Sequence, residues 1–204
     1  MLACLDLTGE LRFTHDGFEF NDGAKPEHNF DVQARLRRYD SVDKLAYLER
    51  DPRDVMLSLF HQVTGRFKNI FDYQGSLSDF IRDDYFGAAN LQKFREIWDS
   101  VAGSRNYFTL RYEECHSDSA TVLSNLVKYY GFEASPADVS SAALKGNFNA
   151  MKAVEEADAF PAPWLRVRNN HPKMRSGKIG GYASAFSESD QRYLRSIFHL
   201  REEG

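Results

Sequence analysis

Residues 44–65 read KLAYLERDPRDVMLSLFHQVTG, and this stretch decides the fold class. Leu45, Ala46, Tyr47 and Leu48 form a short apolar run without internal breakers, as a buried strand does, and Asp51-Pro52 then forces the chain out of the strand. Proline suits the first helical position, where a backbone N–H has no intrahelical partner to lose. A helix is therefore expected from Pro52, with Gly65 closing it. A strand running straight into a helix is the unit from which parallel α/β sheets are built. The first turn of a helix leaves N–H groups unpaired and carries partial positive charge, so an arginine at the strand end beside it makes a phosphate site. Arg50 is that arginine, and Arg53 adds a second cation in the first turn. Ser58, eight residues after Arg50, lies about two turns into the helix and offers a hydroxyl. Taken alone, the same pattern also fits an ordinary strand–helix corner with a solvated arginine.

Length and composition bound what can surround that corner. The 204 residues suffice for one good core, and a single domain is expected to span 1–204. A net charge of -4 argues against general affinity for nucleic acid or anionic membrane, so any anion site must be local. Cys4 and Cys115 are too few for a disulfide framework and lack metal-ligand spacing, which points to structural thiols in a reducing, cytoplasmic setting without a metal. No apolar run approaches the ~20 residues of a membrane span.

Upstream of the corner, Leu2–Leu7 and Leu11–Thr14 are strand-like runs separated by the turn signal Thr8-Gly9. The second is expected to end in Thr14-His15-Asp16-Gly17, and ligands of open α/β sheets bind beyond the carboxyl ends of strands. A histidine there can serve a ligand or merely cap the turn. Residues 16–40 form a loop with one short helix at Val32–Arg38, and Arg35, Arg37 and Arg38 either face an acidic acceptor or lie in solvent. Downstream, Phe67–Tyr85 is aromatic and irregular, suited to a wall or to core padding. Leu91, Phe94, Ile97, Trp98 and Val101 recur at helical spacing before Gly103. Tyr107–Tyr112 is a strand; Ser117-Asp118 and Ser135-Pro136 each start a helix. Residues 160–182, FPAPWLRVRNNHPKMRSGKIGGY, form a long basic loop in an acidic chain. Loops that wrap phosphates need glycine for close approach and arginine for bidentate contact, and Arg175-Ser176-Gly177 has both.

These segments together resemble the sulfotransferases that use 3′-phosphoadenosine 5′-phosphosulfate (PAPS). R-x-P-R-D-V-x-x-S after an apolar strand is similar to their 3′-phosphate segment, which assigns Arg50 and Ser58 to that phosphate. The Thr-His pair of FTHDG resembles the one carrying their general base, which would be His15, and histidine titrates near neutrality as the task requires. Tyr112-Glu113 is similar to the tyrosine–acid pair whose tyrosine approaches the adenosine. In LKGNFNAMKAVE the Phe-x-x-Met spacing matches a pair that packs around the adenine, implying Phe148 and Met151, although core packing accounts for them equally. Arg175-Ser176-Gly177 and Gly180-Gly181-Tyr182 match in part the family's Arg-Lys-Gly and Gly-Asp-Trp, implying Arg175 and Gly177.

The resemblance implies a P-loop-kinase-like three-layer α/β fold with a mainly parallel sheet, abbreviated at its N-terminus. The family's Lys-Ser-Gly-Thr-Thr-like loop, which holds the 5′-phosphosulfate and supplies a lysine, has no counterpart among these residues. Implied is a sulfotransferase moving a sulfuryl group from PAPS to a hydroxyl or amine of a small-molecule or carbohydrate acceptor, without metal, nucleic acid or membrane. A non-catalytic nucleotide-binding or interaction module stays open as the alternative, and a homodimer stays open as one way to cover an exposed sheet edge.

Overall fold

The computed structural model describes residues 5, 11–16, 25, 27–104 and 107–201. Among them the sheet has two strands, β1 (Ala46–Glu49) and β2 (Phe108–Arg111), paired in parallel with Ala46 opposite Phe108. Parallel neighbours need a long crossover, and the chain between them supplies α2 (Pro52–His61), a π turn (Gln62–Arg66), α3 (Lys68–Phe71), α4 (Leu77–Phe80) and α5 (Ala88–Ser104). Before β1 comes α1 (Val32–Arg38), at the bounds expected, with Asp31 as its cap. After β2 the chain turns at once into α6 (Tyr112–Ser117), then α7 (Ser119–Tyr130), α8 (Pro136–Lys145) and α9 (Phe148–Glu156). A 3₁₀ turn at Pro163–Leu165, α10 (Tyr182–Ala185) and α11 (Glu188–Ile197) follow.

Side chains alternate across a strand, so the two faces of the pair can be told apart. Tyr47 stacks on Trp98 of α5 at 5.0 Å, while Phe108, on the opposite face, meets Tyr129 of α7 at 5.2 Å. Helices thus cover both faces, and the arrangement is α/β in three layers as expected. Tyr129 also fastens α7 to the entry of β1, its hydroxyl accepting from the Leu45 N–H and donating to the Leu45 carbonyl.

Most helix starts follow their caps. Asp118, Ser135, Asn147 and Ser187 each accept a backbone N–H in the first turn of the helix they open, and Pro136 takes the first position of α8. Gly131 ends α7 in the left-handed region at φ 80°, where only glycine sits without strain.

Three expectations are corrected. Residues 11–15 form no strand; instead Asp16, at φ 59°, is drawn into a buried polar knot, paired with Arg35 at 2.7 Å and accepting from Tyr39 and Trp98. Burial raises the Asp16 carboxyl above its ordinary range, against the lowering pull of Tyr39 and Arg35. That knot also settles Arg35, which is buried rather than facing an acceptor or solvent. Of Leu2–Leu7 only Leu5 lies within the described residues, and it packs against the cluster of Leu123, Val127, Val139 and Ala142. Gly65 does not stop the helix, because the chain winds through a π turn to Arg66. Its lack of a side chain serves another end: a Cβ there would sit 2.7 Å from Nδ1 of His171.

The largest core brings Met56, Leu57 and Val63 together with Phe80, Phe86, Leu194 and Phe198. Of the aromatics of 67–85, Phe71, Tyr73, Phe80 and Tyr85 pad this core, Phe80 stacking on Phe86 at 5.3 Å. Among the described residues no helix is long and apolar enough to cross a membrane.

Candidate functional site

Where β1 ends, the chain places Arg50 in the open mouth of the strand pair. The fold fixes this arginine from three directions. Its guanidinium lies over the Tyr112 ring at 4.3 Å, Nη2 donates to the Lys178 carbonyl at 3.3 Å, and Asp54 stands 3.8 Å away. Tyr112 can reach it because β2 passes into α6 without a connecting residue, so the ring sits level with the end of β1. The Arg50 Nε–H is buried and has no hydrogen-bond partner.

The next turn is equally ordered. Asp51 caps α2, accepting from the Arg53 N–H, and its own N–H donates to Glu113 at 3.1 Å. Arg53 pairs with Asp51 at 2.7 Å and lies 3.8 Å over the Tyr182 ring. Glu49, Arg50, Arg53, Arg111, Ile179 and Tyr182 help line a groove of about 410 Å³ at this mouth.

Across from α2, the basic segment is drawn in by main-chain bonds. Asp54, buried in the first turn, accepts from the N–H of Gly180 at 2.7 Å and of Tyr182 at 3.0 Å. Further back, Glu155 of α9 accepts from Lys173 and Met174 at 2.6 and 2.9 Å and stands 3.9 Å from Arg66. Gly177 takes φ 60° and passes so close to Phe148 that a Cβ would lie 2.4 Å from the ring. Phe148 and Met151, one turn apart on α9, are half-buried.

The expected residues therefore fall into two groups. Arg50, Tyr112 and the Lys178 carbonyl meet directly, as do Gly177 and Phe148. Arg175 is exposed, and its charge reaches α2, where burial first, then Arg175 and His171, push the His61 imidazole below its ordinary 6.5. Ser58, half-buried, lies one turn before His61 on the same helix. His15 is exposed beside the Asp16 knot and does not line the groove.

Two residues that sequence reasoning passed over are Asp54 and Glu155. A signal existed for the second: Phe148, Met151 and Glu155 recur at helical spacing, which puts a carboxylate on an apolar face. Asp54 gave none, because an acid in a first turn is ordinarily a partner for the helix dipole.

A family profile described as "Sulfotransferase domain" matches residues 36–203. The chain belongs to the sulfotransferase family. Among curated sulfotransferases, it is 28% identical over 172 residues to Sulfotransferase 2B1 of Homo sapiens, covering 81% of this chain and 46% of that one. To Sulfotransferase 2A1 of Mus musculus it is 24% identical over 173 residues, covering 81% and 59%. This sulfotransferase chain thus spans about half the length of the curated relatives it matches. Its fold is likewise that of solved family members. Retinol dehydratase in a complex with retinol and PAP superposes with a TM-score of 0.60 at 22% identity, over 78% of this chain and 50% of that one. Mouse sulfotransferase SULT7A1 complexed with PAP gives 0.62 at 18% identity, over 81% and 60%.

Proposed function

We propose that this sulfotransferase chain binds PAPS and moves its sulfuryl group to a hydroxyl or amine of a small-molecule or carbohydrate acceptor. The observation that carries the reading is the setting of Arg50: a strand-end guanidinium, oriented by Tyr112 and the Lys178 carbonyl, that keeps a buried N–H without a partner. A doubly charged phosphate satisfies such a donor well, since hydrogen bonds with an ionised partner are the strong ones. The Gly177–Phe148 contact supports the nucleoside side, for a left-handed glycine lets the basic segment come directly against the ring assigned to the adenine.

In this reading Arg50, Ser58 and Arg175 hold the 3′-phosphate, while Tyr112, Phe148, Met151 and Gly177 shape the nucleoside site. Bound PAPS supplies the activated sulfuryl group, with adenosine 3′,5′-bisphosphate (PAP) as leaving group. His15 is the general base, taking the acceptor's proton at a ring nitrogen as the acceptor attacks. Retinol and androsterone are named with the retinol dehydratase structures, and an alcohol of that size is the acceptor class we favour.

Calorimetry tests the site. PAP is expected to bind more tightly than adenosine 5′-monophosphate, which lacks the 3′-phosphate, and Arg50→Ala should remove about 1.5–3 kcal/mol of that difference. Equal affinity of the unaltered protein for both nucleotides would overturn the assignment. A second reading is a nucleotide-binding module without turnover. PAP binding with no sulfate transfer to any alcohol or amine tried would favour it.

A further inference from the structure

Two buried carboxylates bracket the basic segment. Glu155 is 4% exposed and Asp54 is 2% exposed, yet neither caps its helix, since Asn147 caps α9 and Asp51 caps α2. Each commits both oxygens to main-chain N–H groups of one segment: Glu155 to Lys173 and Met174, Asp54 to Gly180 and Tyr182. Arg175 and Gly177 lie between these two ties. Tyr182 packs against the largest core at one end, but Ile179 is 46% exposed, so between the ties polar contacts hold the stretch in place. Burying a carboxylate is costly unless it is paired and fully hydrogen-bonded, and here Arg66 and Arg50 stand at 3.9 and 3.8 Å.

We propose that Glu155 and Asp54 are positioning residues that fix the segment 173–182 in its phosphate-binding form before ligand arrives, an inference that rests on the site reading given above. Asp54 has a double hold, because the carboxylate that ties Gly180 and Tyr182 also stands against the Arg50 guanidinium. Ordering the segment during folding leaves less to order on binding, which favours affinity. The effect should be largest on the group that Arg175 holds, the 3′-phosphate, and smaller on the nucleoside that Gly177 borders.

The test compares the full chain with Glu155→Gln and Asp54→Asn, by hydrogen exchange without ligand and by calorimetry with PAP and adenosine 5′-monophosphate. Exchange across 173–182 should quicken about tenfold in each variant, with α5 unchanged, as expected for loss of one charge-assisted bond. PAP should bind about tenfold more weakly, and adenosine 5′-monophosphate, which meets the segment only at Gly177, should lose clearly less. Unchanged exchange of the segment, or equal weakening of both nucleotides, would overturn the proposal. Should α5 also quicken in Glu155→Gln, Lys173→Pro removes the donor instead of the buried charge and must give the same selective loss. If the unaltered protein binds neither nucleotide, the site reading fails on its own, and exchange still decides whether the carboxylates hold the segment.

Discussion

His61 shows how far the charge of Arg175 carries into the protein. Its imidazole is held below 6.5 by burial, by Arg175 and by His171, so the folded protein disfavours the protonated ring that the unfolded chain accepts freely. The contribution to stability is therefore complete above pH 6.5 and is lost as pH falls through the lowered folded value. Urea midpoints should drop between about pH 7 and 5, and drop less in His61→Gln. An identical slope in the two proteins would remove His61 as a source. In proton spectra the same ring gives a second reading. PAP bound beside Arg175 offsets that positive charge, so the His61 midpoint should move upward on saturation; no movement would argue against a phosphate near Arg175. At this scale the sequence was informative where a residue type has few uses, as with Arg50 at a strand end or Gly177 in a basic loop. It was silent on Asp54 and gave only helical spacing for Glu155, since their importance comes from N–H groups more than a hundred and about twenty residues away respectively.

Helix and strand signals that depend on neighbours in the chain came through well, and those that depend on distant partners did not. Asp51-Pro52, Asp118, Ser135 and Val32–Arg38 fixed helix starts because capping is decided within a turn. The run Leu11–Thr14 has the composition of a strand, but Asp16 is claimed by Arg35, Tyr39 and Trp98, and those ties displace a ladder. Gly65 misled for a similar reason. It looks like a stop, whereas its use is to admit the His171 ring beside a π turn. Gly65→Ala should thus cost about 1–3 kcal/mol through overcrowding. Adding His171→Ala should recover most of that loss, and urea denaturation of the two single variants and the double variant measures the coupling; strictly additive costs would mean that the ring is not what glycine accommodates.

Over the whole molecule, packing is concentrated where α2, α4 and α11 meet around Met56, Phe80 and Leu194. Leu194 is fully buried, so Leu194→Ala should lower stability by about 2–5 kcal/mol. Leu144 is 69% exposed at the end of α8, and Leu144→Ala should stay within about 0.5 kcal/mol. Comparable losses from the two in urea melts would contradict this picture of the core. Sequence made the α/β class and the parallel pairing legible, since both follow from a strand–corner–helix pattern. Groove composition was not, because Arg50 and Lys178 are separated by 128 positions. That separation carries a consequence for synthesis. A nascent chain meets β1 and α2 early, but until residue 182 has left the ribosome the mouth has only one jaw, and the proposed nucleotide site is not yet assembled.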